Sequence, residues 1–409
     1  MHPLTTAEPN QPRLHALDAI RAAALLLGIV LHACLSFVPG IGPELWPISD
    51  TQKSATLSVS VFVIHTFRMS VFFLMAGLLT RALFHREGFF AFWRNRAARI
   101  LAPLALGWVL CLVLIAGVVL WAVARANGGQ LPDPLPKSMT EVAPNFMHLW
   151  FLYLLLWLYA IVLAGRFALQ AVDRNARMVA FADHVLRRAV SSRVGPLALA
   201  IPVGVAFFLI DDWVRLMGVP TPAYTLVPPA VPTFIYTYVF VIGWMLDRQR
   251  HLLNQLAQRW LFNFVLGLAG ALVCLYLVGP EASLAVVGGE PDKPVYAAAY
   301  GIALIGWTLA FVGAGMKFLS KQSAIVRYVS DASYWMYLAH LPLIMALQTA
   351  LMLADLHWAI KFFLINAASY ALLLATYHYW VRSTWVGLML NGRRRLRESS
   401  QIVPSCAMP

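Results

Sequence analysis

The first apolar stretch of the chain, LDAIRAAALLLGIVLHACLSF at residues 17–37, contains three side chains capable of ionic or acid–base chemistry: Asp18, Arg21 and His32. A helix turns ~100° per residue, so His32 lies ~20° from Arg21 and ~40° from Asp18 around the axis. The three side chains therefore share one stripe. Because a charged group facing lipid costs at least about 2.5 kcal/mol, we expect this stripe to face the protein interior. Asp18 and Arg21 fall near one membrane face, and His32 lies ~21 Å further along the axis.

Later segments repeat this arrangement of polar groups in apolar surroundings. Residues three apart share one face of a helix. Such pairs are His65 with Arg68, Arg96 with Arg99, and Tyr337 with His340, while His148 and Trp150 open another apolar segment in MHLWFLY. Ordered by depth, one end carries Asp18, Arg21, Arg96 and Arg99 and is taken as cytoplasmic. Arg68, His65 and His340 lie midway, and His32 and His148 lie outermost. The pattern indicates a polar path through a bilayer for a ligand that is anionic at its cytoplasmic end.

The elements that must position these residues are membrane-spanning helices. The 409 residues are 60% apolar and only 12% charged, whereas soluble domains are about 25% charged. Apolar runs long enough to cross a bilayer recur along the chain, and helices are the form that satisfies the backbone there. We predict an all-α bundle of ten spans at 18–38, 56–80, 100–122, 146–165, 196–210, 228–246, 260–279, 295–316, 333–353 and 358–381.

The distribution of Lys and Arg predicts the orientation of this bundle. Of the 31 basic residues, 23 fall in alternate connecting segments and termini, five fall in the other segments, and three lie within spans. Basic residues concentrate on the cytoplasmic side, so both termini are predicted to be cytoplasmic. The net charge of +13 then requires no nucleic acid. We divide the chain into a cytoplasmic segment 1–17, a membrane domain 18–381 and a basic tail 382–409 that would lie against anionic lipid. The four cysteines have no disulfide or metal-ligand spacing, and no metal site is expected.

Four motifs resemble those of the membrane acyltransferase-3 family: LDAIRAAALLLGIVLH, FRMSVFFLMAGLL, FWRNRAARILAPL and ASYWMYLAHLPLI. HLWFL and HTFRMSVFF are more similar to the family's glucan biosynthesis protein C branch, which adds succinyl groups to periplasmic glucans. The resemblance runs from about residue 13 to 385. The chain differs at Ala76, where the family usually has Ser.

The resemblance implies a multi-pass enzyme of the bacterial inner membrane that transfers an acyl group from cytoplasmic acyl-CoA to a hydroxyl of a carbohydrate on the outer side. Succinyl-CoA and acetyl-CoA are both candidate donors, and no permanently bound cofactor is expected. His32 would act as the general base, or alternatively form an acyl-imidazole. Arg68 would stabilise the oxyanion or hold a succinyl carboxylate. Arg21, Arg96 and Arg99 would bind the CoA phosphates.

Asp18 would fix Arg21, and five residues would contact substrate: His65, His148, Trp150, Tyr337 and His340. Asp18 and Arg21 could instead be only a structural ion pair, and His65 and His340 could hydrogen-bond to neighbouring helices. His148 and Trp150 could be an interfacial anchor. Lys361 is expected to extend its ammonium to the interface. A transporter or flippase would also need intramembrane ionisable residues, although no repeated halves are visible. A membrane sensor is a third class, and assembly into a homo-oligomer stays open.

Overall fold

The computed structural model describes residues 15–134, 145–211, 213–279 and 291–391, which form helices and connecting loops without a β-strand. Thirteen α-helices are numbered here in chain order. They are α1 His15–Cys34, α2 Ala55–Glu87, α3 Phe89–Arg96, α4 Ala102–Ala126, α5 Trp150–Val172, α6 Arg177–Ser191, α7 Gly195–Phe208, α8 Ala230–Arg248, α9 His251–Val278, α10 Lys293–Phe318, α11 Ala324–Leu351, α12 Trp358–Thr376 and α13 Trp385–Asn391. A π-helical turn, Ala97–Leu101, joins α3 to α4 without a break, and a second one, Tyr377–Val381, follows α12.

Each of the ten predicted spans coincides with a helix, and the all-α fold of a multi-pass membrane protein is confirmed. Eight helical segments are long and apolar enough to cross a bilayer, and α6 with α7 would make nine if that bent pair is one span. Helix α11 is not among them, since polar residues such as His340 and Gln348 lower its hydropathy. The count of ten and the cytoplasmic termini stay predictions, and residues 1–14 and 392–409 lie outside the described residues.

Several helices continue past the predicted ends of the apolar runs. Helix α2 ends at Glu87 rather than near residue 80, and α9 begins at His251 rather than at 260. The extra turns carry polar and basic residues, so an apolar pattern cannot reveal them. A membrane helix needs ~20 residues to cross the hydrocarbon, and α2 has 33.

Glycines bring the central helices into close contact. A Cβ atom on Gly77 of α2 would overlap the carbonyl oxygen of Phe240, and one on Gly243 of α8 would overlap the carbonyl oxygen of Leu74. Small residues let membrane helices approach closely and pack by van der Waals contact. This contact fixes α2, which carries His65 and Arg68, against α8.

Helices α1, α2, α4 and α11 surround a cavity of about 810 Å³. One end of the cavity is lined by three loops, of which residues 38–54, here called the mouth segment, contribute most. The side chain of Lys361 on α12 is buried and makes an ion pair with Asp50 of this segment, at 2.9 Å from Nζ to Oδ1. The expectation that Lys361 extends to the interface is therefore wrong. The lysine instead holds the mouth segment against the bundle.

Candidate active site

The cavity brings together seven of the residues that the sequence singled out. Its lining includes His32 from α1, His65 and Arg68 from α2, and Tyr337 and His340 from α11, together with His148 and Trp150 at the start of α5. These residues lie on four separate segments of the chain. Their convergence on one space is what the predicted interior stripe requires.

Three imidazole rings form a row along the cavity wall. The ring centroids of His32 and His340 lie 5.2 Å apart, and those of His340 and His148 lie 5.0 Å apart. His340 and His148 are only 3% and 7% exposed, whereas His32 is partly exposed to the cavity. His32 is therefore the ring of the row that a bound molecule reaches most readily.

Backbone carbonyls fix the tautomers of the two buried rings. His340 donates from Nδ1 to the carbonyl oxygen of Tyr337 at 2.7 Å, and His148 donates from Nε2 to that of Leu338 at 3.2 Å. A carbonyl can only accept, so the proton of each neutral ring must be on the donating nitrogen. The other nitrogens, Nε2 of His340 and Nδ1 of His148, are buried without a hydrogen-bond partner.

A proline explains why the carbonyl of Leu338 is free to bind His148. Pro342 lies inside α11, four residues after Leu338. Proline has no N–H, so the usual helical hydrogen bond to the carbonyl four residues earlier is missing. His148 supplies the missing donor, and the hydroxyl of Tyr337 donates back to the carbonyl of His148 at 2.8 Å. The motif LAHLPL thus creates the docking point for the start of α5.

The approach to His148 is a strained turn. Met147 has a φ of 49°, in the left-handed region that a residue with a side chain rarely adopts. The Oδ1 atom of Asn145 accepts a hydrogen bond from the N–H of Met147 at 2.7 Å and stabilises this conformation. Strain of this kind concentrates at functional sites, where surrounding contacts hold it in place.

Arg68 lies against α1 one helical turn from His32. A Cβ atom on Gly28 would overlap Nη1 of Arg68, so the absence of a side chain at residue 28 makes room for the guanidinium. Gly28 and His32 are four residues apart and lie on the same side of α1. Within the described ranges Arg68 has no carboxylate partner and makes no hydrogen bond, and its Nε is buried. An unpaired cation in such a place attracts an anion or developing negative charge.

Trp46 of the mouth segment also packs beside the ring of His32. Their rings are stacked, with centroids 5.6 Å apart and planes inclined by 18°. The indole N–H of Trp46 donates to Oε1 of Gln348 at 3.0 Å, and Nε2 of Gln348 donates to the carbonyl oxygen of His32 at 3.0 Å. Gln348 is buried on α11. One amide therefore connects the mouth segment, α11 and the end of α1.

A family profile described as an acyltransferase domain, that of acyltransferase family 3, matches residues 14–378. This stretch contains every residue of the cavity wall. The chain belongs to the acyltransferase-3 family.

Curated relatives of this acyltransferase carry the name glucans biosynthesis protein C. The protein of Escherichia coli strain K12 is 24% identical over 336 residues, which cover 81% of this chain and 82% of the relative. That of Shigella dysenteriae serotype 1 is 24% identical over 338 residues with the same coverage. The motifs HLWFL and HTFRMSVFF indicate a likeness to the glucan biosynthesis protein C branch, and these relatives confirm it. No solved structure matches the chain.

Four candidate residues of this acyltransferase lie outside the cavity lining: Asp18, Arg21, Arg96 and Arg99. Arg21 makes an ion pair with Asp18 at 3.6 Å and donates to the hydroxyl of Ser330 at 3.3 Å. The expected pair is present. Neither residue lines the cavity, and the side chain of Arg21 is 39% exposed.

Arg96 and Arg99 lie near the π-helical turn between α3 and α4, also outside the cavity lining. Arg96 donates from Nη1 to the hydroxyl of Tyr159 at 3.4 Å, and the carbonyl of Arg99 accepts from the hydroxyl of Tyr334 at 2.7 Å. Tyr334 in turn stacks with Tyr337 of the cavity wall at 6.4 Å between centroids. Aromatic side chains therefore separate the two arginines from the cavity.

Sequence reasoning missed Trp46 and Gln348. Trp46 lies in the Pro-rich stretch PGIGPELWP, which has no periodicity that would place a ring on a helix. Gln348 carried a usable signal, because a polar side chain within an apolar span faces the bundle interior.

Proposed function

We propose that this acyltransferase moves a succinyl or acetyl group from acyl-CoA to a hydroxyl of a carbohydrate, with His32 as the general base. The observation that carries the proposal is the pairing of an accessible imidazole with an unpaired guanidinium in one cavity. His32 lies one helical turn from Gly28, against which Arg68 packs. A base and a cation so close together suit a reaction that removes a proton and creates an oxyanion.

In the proposed reaction His32 takes the proton of the acceptor hydroxyl while the hydroxyl oxygen attacks the carbonyl carbon of the thioester. The negative charge that develops on the carbonyl oxygen meets the guanidinium of Arg68. When the tetrahedral intermediate breaks down, the carbon–sulfur bond breaks and the ester remains on the acceptor. The thiolate of CoA takes the proton from the imidazolium, which returns neutral His32 and releases the free thiol.

The acceptor would enter through the mouth. Trp46 and Tyr224 line this end, as do Glu44 and Asn145. Aromatic rings offer apolar faces, and the carboxylate and amide can hydrogen-bond to hydroxyl groups. Such a surface suits a neutral carbohydrate. The name of the curated relatives, glucans biosynthesis protein C, favours a glucan.

The donor would reach the cavity from the arginine-rich side. Arg96 and Arg99, with Arg21, would meet the CoA phosphates, because the guanidinium fork suits phosphate oxygens. The acyl end would pass Tyr334 and Tyr337 to reach Arg68. This route requires the tyrosines to move, since they fill the space between Arg99 and the cavity.

The experiment is CoA release by detergent-purified protein with acetyl-CoA or succinyl-CoA and extracted periplasmic carbohydrate. We expect release by the unchanged protein and its loss in His32→Ala, with donor binding and thermal stability retained. His184→Ala is the matched control, because His184 is exposed on α6, away from the cavity.

Unchanged release by His32→Ala would return His32 to a structural role. A protein that binds both donors yet releases no CoA with any acceptor, and that instead moves a donor or glycan across vesicles, would be a carrier.

A further inference from the structure

Helix α6 has the features of a helix that lies in the membrane surface. Met178, Phe181 and Val185, at positions i, i+3 and i+7, form an exposed apolar stripe in which Phe181 is 70% exposed. The axis of α6 is bent by 113° from that of α7, close to a right angle. If α7 follows the membrane normal, α6 lies near the membrane plane. Helices with an apolar stripe and a charged face bind there.

The other faces of α6 are fixed to the protein. Leu186 and Val190 are buried. Asp183 accepts a bidentate pair of hydrogen bonds from Arg248, and the hydroxyl of Ser191 donates to Gln255 at 2.6 Å. The described residues leave the stripe uncovered, and an uncovered apolar stripe near the turn that joins α6 to α7 suits contact with lipid.

A second cavity, of about 310 Å³, opens beside this turn. It is lined by Arg193 from the turn and by Gln258, Arg259 and Phe262 from α9. Neither arginine makes an ion pair within the part of the chain that the structure describes. The Nη1 atom of Arg259 is buried without an acceptor. A buried donor on a charged group without a partner costs free energy, which a bound anion would recover.

We propose that this cavity binds the phosphate of an anionic phospholipid headgroup. Two guanidinium groups supply the charge and the hydrogen-bond donors that phosphate oxygens accept. The apolar side of the pocket points to lipid rather than free phosphate. Phe262 is exposed, and Leu261 and Val265 beside it continue the exposed apolar face of α9, where acyl chains would lie. The site is separate from the acyl-transfer cavity and does not depend on the proposed function.

Native mass spectrometry of the detergent-purified protein tests the proposal, with phosphatidylglycerol, phosphatidylcholine and inorganic phosphate as probes. We expect phosphatidylglycerol to be retained in preference to phosphatidylcholine. Because a basic residue near an anionic lipid surface contributes about 1 kcal/mol, Arg259→Gln and Arg193→Gln should each weaken binding about fivefold. Arg259→Lys, which keeps the charge, should retain most of the affinity. Arg174→Gln, in the exposed turn before α6, removes the same charge outside the cavity and should leave binding unchanged.

Three results would overturn the proposal. Equal retention of the two lipids would show that binding does not require an anionic headgroup. An effect of Arg174→Gln as large as that of Arg259→Gln would indicate diffuse surface charge rather than a pocket. Displacement of phosphatidylglycerol by millimolar inorganic phosphate would identify a site for the free ion.

Discussion

The indole of Trp46 stacks with the imidazole of His32, with the ring centroids 5.6 Å apart and the planes inclined by 18°. The two residues come from different parts of the chain, and Gln348 bonds to both the indole N–H and the carbonyl of His32. The orientation of the candidate base therefore depends on a loop residue and on a buried amide of α11. Neither needs to touch the reacting atoms to affect the reaction.

Gln348→Leu should lower kcat with little change in KM for the donor. The substitution keeps the volume but removes the hydrogen bonds to Trp46 and to the carbonyls of His32 and Ala33. Since a hydrogen bond contributes about 1 kcal/mol, a loss of about five- to thirtyfold is expected. CoA-release kinetics at saturating acceptor measure this loss.

Trp46→Phe keeps a stacked ring without the N–H and should lose less activity than Trp46→Ala. Equal activity of the last two variants would contradict the role of stacking, and Trp121→Ala, at an exposed Trp of α4, is the matched control.

Gly28→Ala should displace the guanidinium of Arg68 without altering any group that can react. The added Cβ overlaps Nη1 of Arg68, and a misplacement of about 1 Å can cost about 100-fold in rate. Steady-state CoA release measures the loss. Gly117→Ala on α4 is the control, because a Cβ there meets no atom within 4 Å. A Gly28→Ala protein with unchanged activity would show that the guanidinium tolerates displacement and that its position beside His32 is incidental.

Arg68→Gln distinguishes the two roles proposed for this arginine. If Arg68 binds the free carboxylate of a succinyl group, discrimination between succinyl-CoA and acetyl-CoA should fall by about tenfold or more, because a charge-assisted hydrogen bond contributes about 1.5–3 kcal/mol. The ratio of kcat/KM for the two donors measures this. An equal loss for both donors would exclude the carboxylate role and leave that of oxyanion stabilisation.

Lys361→Met should destabilise the protein and loosen the mouth segment. The substitution leaves the carboxylate of Asp50 buried without its cation, and breaking a buried pair from one side costs about 3–5 kcal/mol. A lower midpoint of thermal unfolding in detergent is the expected result. The double variant Asp50→Asn, Lys361→Met removes both charges and should recover much of the loss. If the single and double variants unfold at the same temperature, the ion pair is not what holds the segment.

The positions of the helices follow from the sequence because a segment that crosses the bilayer must be an apolar helix of about 20 residues. Ten apolar runs each correspond to a helix, with errors mainly at the arginine-rich ends, where α2 and α9 continue as polar turns. The bend between α6 and α7 was not predicted. Helix α6 has an exposed apolar stripe beside charged residues, a pattern unlike that of the uniformly apolar spans.

Site residues could be predicted wherever an ionisable side chain falls within an apolar span, because such a group is costly in lipid and must face the bundle interior. His32, His65, Arg68 and His340 could be assigned to the interior on that ground, and they share one cavity. Lys361 was misassigned because its partner, Asp50, lies in a loop more than 300 residues away in the chain. Pairings of that kind depend on tertiary packing, and neither spacing nor composition reveals them.

Helix α4 contributes Ile115, Val119 and Val123 to the cavity, yet only 11% of the most apolar stretch within Phe89–Ala126 is buried inside the protein. On this side a single helix separates the cavity from the surrounding lipid. A bilayer that is thicker or thinner than the span tilts the helices it contacts, and tilting α4 would change the width of the cavity. We therefore expect the turnover of this acyltransferase to vary with the thickness of the membrane in which it is measured.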